Sequence, residues 1–94
     1  MTILQGGIIL LPYPFNDIAS SKQRPAMVLS VDSLNHSSYI VAKITSNIHN
    51  DRFSFSLQNS ELTQPLKYPS EVRINELFTA HHSLIIRKFG SLKP

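Results

Sequence analysis

The sequence contains no cysteine and no tryptophan, and only three glycines in 94 residues. Without cysteine there is no disulfide, no thiolate nucleophile and no cysteine-based zinc site, a usage that fits a reducing compartment. Long apolar runs are missing too. The longest near the N-terminus is Ile8-Ile9-Leu10-Leu11, far short of the ~20 residues that cross a bilayer and too short for the core of a secretion signal. The expectation is a soluble, cytoplasmic protein that does not engage membranes. Acidic residues are the scarcer charge, six Asp and Glu against nine Lys and Arg, for a net +3. So small an excess makes a weak general field, and a polyanion such as RNA would have to be held by a shaped site. No stretch carries a sustained helical stripe, which argues against a helical bundle. With no Trp and three Tyr, an aromatic groove for proline-rich peptides has little to be built from.

What is present alternates with a period of two. Ile8 to Leu11 forms a short strand, stopped by Pro12-Tyr13-Pro14. Residues 25–31 are rich in β-formers, with Pro25 acceptable at a strand start. In residues 38–45, Ile40, Ala42 and Ile44 share one face, and Tyr39, Val41, Lys43 and Thr45 the other. Phe53, Phe55 and Leu57 alternate with Ser54 and Ser56. Val72 and Ile74 alternate with Glu71, Arg73 and Asn75, and Leu84-Ile85-Ile86 opens a last strand. Leu57 to Lys67 has room for one helical turn, limited by Pro65. Several short strands between turn-rich segments predict an all-β barrel in a single domain over residues 1–94. A domain of this size buries only ~60–65% of its unfolded surface, so a second copy would add useful burial.

Four segments resemble the PemK/MazF toxins of type II toxin–antitoxin systems. They are Gly6-Gly7-Ile8-Ile9-Leu10-Leu11-Pro12-Tyr13-Pro14-Phe15-Asn16-Asp17, Lys22-Gln23-Arg24-Pro25-Ala26-Met27-Val28-Leu29-Ser30, Tyr39-Ile40-Val41-Ala42-Lys43-Ile44-Thr45-Ser46, and Pro69 to Thr79 followed by Phe89-Gly90-Ser91-Leu92. Any one is weak; all four in order span roughly residues 6 to 92. The resemblance implies a small SH3-like barrel of the CcdB/MazF type, lacking most of the family's C-terminal helix. It also implies a homodimer, cleavage of single-stranded RNA without metal or cofactor, and neutralisation by a small acidic antitoxin. Two positions depart from the family pattern. Gly7 stands where an Asp is usual, and Asn75 lies near a place where some relatives carry an acidic group. The alternative reading is a family member that binds RNA or antitoxin without cutting.

Metal-free RNA cleavage needs promotion of 2′-OH attack, stabilisation of charge on the phosphoryl oxygens, and a proton for the departing 5′-oxygen. Arg24 is the first catalytic candidate. Its planar guanidinium can clamp two phosphate oxygens, and a role in protonating the leaving group is open. Thr45, ending a strand, is the second, with a hydroxyl for a phosphate oxygen or the 2′-OH. Lys22, Gln23, Ser46, Ser70 and Arg73 are candidates for holding RNA. Glu71 could instead pair with Arg73. Tyr13 and Phe15 could stack on bases or pack in the core. His36, His49, His81 and His82 read as surface-turn residues. No third ligand stands at useful spacing for a metal.

Overall fold

The computed structural model describes residues 2–12 and 23–94. Six strands form one antiparallel sheet: β1 (Gly7–Pro12), β2 (Gln23–Val28), β3 (Ser38–Thr45), β4 (Ser54–Leu57), β5 (Ser70–His81) and β6 (Arg87–Ser91). Their order across the sheet is β4-β5-β3-β2-β1-β6. Three single 3-10 turns, Asp32–Leu34, Asn59–Glu61 and His82–Leu84, are the helical elements among the described residues. None of the helices is long and apolar enough to cross a membrane.

The sheet closes on itself through the segment after β4. The Asn59–Glu61 turn, held by a capping box between Gln58 and Glu61, delivers Leu62 to a bridge with Leu92, just past β6. Thr63 N–H donates to Ser91 O at 2.9 Å and Lys93 N–H to Glu61 O at 2.7 Å. The segment after β4 is thereby tied to the end of β6 at the opposite edge of the sheet, curling it toward a barrel.

Alternation along the strands sorts the apolar side chains into two clusters, one on each face. Ile8, Met27, Ala42, Ile44, Leu57, Leu62 and Val72 form one, with Leu66 and Phe89 against it. Because Leu57 and Leu62 flank the closing turn, this is the inside of the curl. Ile3, Ile9, Leu11, Ala26, Val28, Tyr39, Val41 and Ala80 form the other, covered by Phe78 and Ile85. β1 is therefore buried from both sides, as its unbroken apolar run demands. Tyr39, buried in the outer cluster, keeps its hydroxyl paired with His82 Nδ1 at 3.0 Å.

Two local features differ from the expected pattern. Leu84-Ile85-Ile86 does not begin the last strand. His81 Nδ1 accepts the Ser83 N–H at 3.2 Å and caps a turn, so β6 starts only at Arg87. Phe55 does not join Leu57 inside; β4 is the sheet's edge strand, and the ring is 59% exposed.

β5 also carries a bulge. Ala42 pairs with Leu77 but Lys43 pairs with Arg73, so Ile74, Asn75 and Glu76 are extra on the β5 side. Bulges of this kind bend a strand and re-aim its side chains. Here the bend turns Glu76 back toward Arg73.

Candidate functional site

Pro25 determines where β2 leaves β3. The β2–β3 ladder ends at Ala26↔Lys43, whereas pairing of β2 with β1 continues through Pro25 to Gln23. A proline has no N–H to give to a second ladder. Extending the register two positions further, past Pro25 and Ile44, places Arg24 across from Thr45, on strands no longer bonded to each other. Both have the parity of Ala26, Val28 and Val41, and so share the outer face. Arg24 is exposed, and among the described residues it has no hydrogen-bond or ion-pair partner. Thr45 is half-buried, and its Oγ1 accepts the Asn47 N–H at 3.0 Å. That contact leaves the hydroxyl proton available to an incoming group.

Thr45 pairs on its other side with Glu71 of β5, and Lys43 with Arg73. Beneath this edge lies a charge network, built on the buried Arg73 and Glu71, that the sequence patterns did not disclose. Arg73 is 6% exposed. Its guanidinium donates to Asp51 Oδ1 and Oδ2 at 2.8 and 3.0 Å, to Ser54 Oγ at 2.6 Å, and through Nε to Glu76 Oε2 at 3.1 Å. Glu71, which the sequence offered as an alternative partner, is 3.7 Å from it. Lys43 Nζ is 3.7 Å from Glu76 Oε1.

Glu71 is itself 2% exposed. Ser54 Oγ–H donates to it at 2.5 Å and the Asn50 N–H at 3.2 Å. Burial pushes its pKa up, but hydrogen bonds from Ser54 and from the backbone of Asn50 and His49, with a small electrostatic contribution from His49, outweigh burial and hold it below the usual value. Asp51 is also lowered, first by its hydrogen bond from Arg73. Both groups are carboxylates at neutral pH. Asn50 accommodates the turn at φ 52°, a left-handed conformation asparagine tolerates.

The other candidates are distributed unevenly. Gln23 is exposed at the start of β2 and Ser46 is exposed directly after Thr45. Ser70 is buried, its hydroxyl donating to Tyr68 O at 2.9 Å. Lys22, Tyr13 and Phe15 lie outside the described residues. Asp51, Ser54 and Glu76 went unnoticed in the sequence because only the folded bulge and loop bring them to Arg73. The one local signal was Asp51-x-x-Ser54, whose Asp carboxylate accepts the Phe53 N–H at 3.0 Å and lies 3.0 Å from Ser54 Oγ.

Residues 4–94 match the family described as PemK-like, MazF-like toxin of type II toxin–antitoxin system. No curated protein matches the chain. Among solved structures, a mycobacterial endoribonuclease in complex with its cognate antitoxin is similar over 99% of this chain and 82% of that chain. The TM-score is 0.78 at 13% sequence identity. At that identity the likeness is one of fold, and it shows the all-β barrel expected from the sequence.

Proposed function

Because this chain belongs to the PemK-like, MazF-like toxins of type II toxin–antitoxin systems, we propose that it is an endoribonuclease cutting single-stranded RNA without a metal. What supports the reading is the β2–β3 register, which, carried past its last pair Ala26↔Lys43, sets Arg24 opposite Thr45 on one face, beyond the point where Pro25 ends the ladder. The Arg24 guanidinium, without a partner among the described residues, clamps two non-bridging oxygens of the scissile phosphate. There it stabilises the charge that builds up as the 2′-oxygen attacks. The Thr45 hydroxyl holds the same phosphate or aligns the 2′-OH. The product is a 2′,3′-cyclic phosphate, and DNA, lacking the 2′-OH, is left intact. Gln23 and Ser46, exposed next to Arg24 and Thr45 in the chain, hold the RNA on either side, and Lys22, which precedes Gln23 in sequence, is assigned the same role.

The geometry narrows two of the RNA-holding roles. Arg73 faces carboxylates on three sides, and we assign it to holding the 49–54 loop and the β5 bulge in place under Thr45. Ser70 we assign to the turn at Tyr68. A small acidic antitoxin is the expected inhibitor, folding over the exposed cations, as disordered segments do on charged faces. The similar mycobacterial structure is titled as a complex with its antitoxin. The working form is a homodimer.

Incubation with single-stranded RNA in EDTA tests the reading. Cleavage that persists in EDTA and leaves cyclic phosphate ends is the expected result; intact RNA at high protein concentration, or cleavage abolished by EDTA, contradicts it.

Gly7 favours a second reading, binding without cleavage. A Cβ built at Gly7 would lie 2.9 Å from Leu4 O, a backbone atom with no freedom to retreat. The acidic side chain usual there in the family has no space on this backbone. RNA retained on a filter but uncut would decide for that reading.

A further inference from the structure

β4 is an edge strand, and the bonds it makes fix which of its groups face outward. Phe53 O accepts the Ile74 N–H at 2.9 Å. By alternation, Phe55 and Leu57 also turn their backbone groups toward β5, where they pair with Val72 and Ser70. Ser54 and Ser56 therefore direct theirs away from the sheet. The Ser54 N–H donates to Asp51 O at 3.1 Å, and past the end of the strand the Gln58 N–H donates to Glu61 Oε1 at 2.9 Å. The C=O of Ser54 and the N–H and C=O of Ser56 have no partner among the described residues. Exposed edges are usually guarded by lysine, proline or a bulge. The opposite edge strand, β6, carries Arg87 and Lys88 and is tied to Thr63 at Ser91. The run Phe53-Ser54-Phe55-Ser56-Leu57 has neither charge nor proline, and its pairing with β5 runs without a register shift. On the face it shares with Val72, Phe55 is 59% exposed, and Ile74, across from Phe53, is 39% exposed.

Resting on the homodimer reading, we propose that this edge is the surface through which two copies of the chain pair, antiparallel about Phe55. A two-fold axis there sets Ser54 opposite Ser56 of the second copy. Each Ser56 N–H then donates to the Ser54 C=O of the other copy, so the pairing uses groups the fold leaves free. The two Phe55 rings meet on one face, at a non-hydrogen-bonded position where Cα atoms stand about 4.5 Å apart. Aromatic pairs across strands are favourable. Arg52 falls opposite Gln58 and Asp51 opposite Asn59, so no like charges meet. This neutral, self-matching edge selects a second copy over an acidic antitoxin, whose carboxylates would find no cation on β4.

Analytical ultracentrifugation of the full chain measures the association, and the wild-type protein should sediment as a dimer. Ser56→Pro deletes only an outward N–H, which an edge strand tolerates. Loss of both inter-copy bonds should weaken association by ~10-fold or more. Phe55→Lys sets two positive charges opposite each other and should also shift the protein to monomer. Both variants should keep the wild-type circular dichroism. Because the chain has no cysteine, Phe55→Cys supplies a single thiol, and the two copies hold it at a separation a disulfide spans. Under mild oxidant it should form a covalent dimer, while Leu34→Cys, at an exposed position outside the edge, stays monomeric on gels. A dimer that Ser56→Pro and Phe55→Lys both leave intact, or a Phe55→Cys protein that crosslinks no faster than Leu34→Cys, overturns the inference and leaves the homodimer reading standing. A wild-type protein that sediments as a monomer overturns both. If either edge variant loses its circular dichroism, the crosslinking comparison decides alone.

Discussion

Arg24→Ala removes an exposed guanidinium with no hydrogen-bond or ion-pair partner among the described residues, so its cost should fall on chemistry and spare the fold. Cleavage should drop by ~10²–10³-fold, the usual loss when one donor to a developing charge is deleted, with an unchanged melting temperature. Thr45→Val keeps the strand and loses the hydroxyl; a smaller drop, again without loss of stability, is expected from the same assay. Arg73 and Glu71 should behave in the opposite way. Each is buried and held by several partners, so Glu71→Gln should lower the melting temperature clearly, because Ser54 and the amides of the 49–50 loop lose a charged acceptor. If Glu71→Gln melts like the wild type, the network is not what holds the loop. Arg24 and Thr45 stood out as candidates in the sequence because they sit at strand ends inside motifs. Arg73 was visible only as a cation. That its charge is turned inward depends on Asp51 and Glu76, and the latter reaches it through a bulge that no alternation pattern signals.

Strands were easier to read than their ends. The run Ile8 to Leu11 announces a strand buried on both faces, and Ile8, Ile9 and Leu11 are all fully buried. Ile9→Ala should therefore cost ~2–5 kcal/mol in chemical denaturation, the range for emptying a packed core position. Gly7→Ala should also destabilise, since its Cβ would meet Leu4 O and the Gly7 N–H bond to that same carbonyl at 2.9 Å fixes the approach. A Gly7→Ala protein as stable as the wild type would mean that the turn yields easily. Alternation misled at Ile74, which was expected beside Val72 but is 39% exposed, because the three extra residues of the bulge interrupt the period of two. It misled at Leu84 because a histidine cap, a contact of side chain to backbone, overrode strand propensity.

For the molecule as a whole, the pKa shifts set a direction for acid stability. Glu71 and Asp51 are both held below their ordinary values in the fold. A lowered folded-state pKa contributes stability that is complete above the unfolded value and is lost as pH falls through the folded one. The protein should therefore keep its melting temperature down to about pH 4, the ordinary carboxylate range, and lose it below. In Glu71→Gln that acid-dependent loss should be smaller. A melting temperature that declines from neutrality, or a variant with the full wild-type pH dependence, would contradict this.

The joining of β1 to β6 carries a further consequence, for synthesis. Gly7 and Ile8 take their partners from Ser91 and Gly90, almost the whole chain away. Pairings so distant in sequence form slowly, because a long loop must be closed before any contact rewards it. A ribosome still short of Arg87 holds a nascent chain whose first strand lacks one of its two neighbours, and the toxin cannot be completed until those last residues emerge.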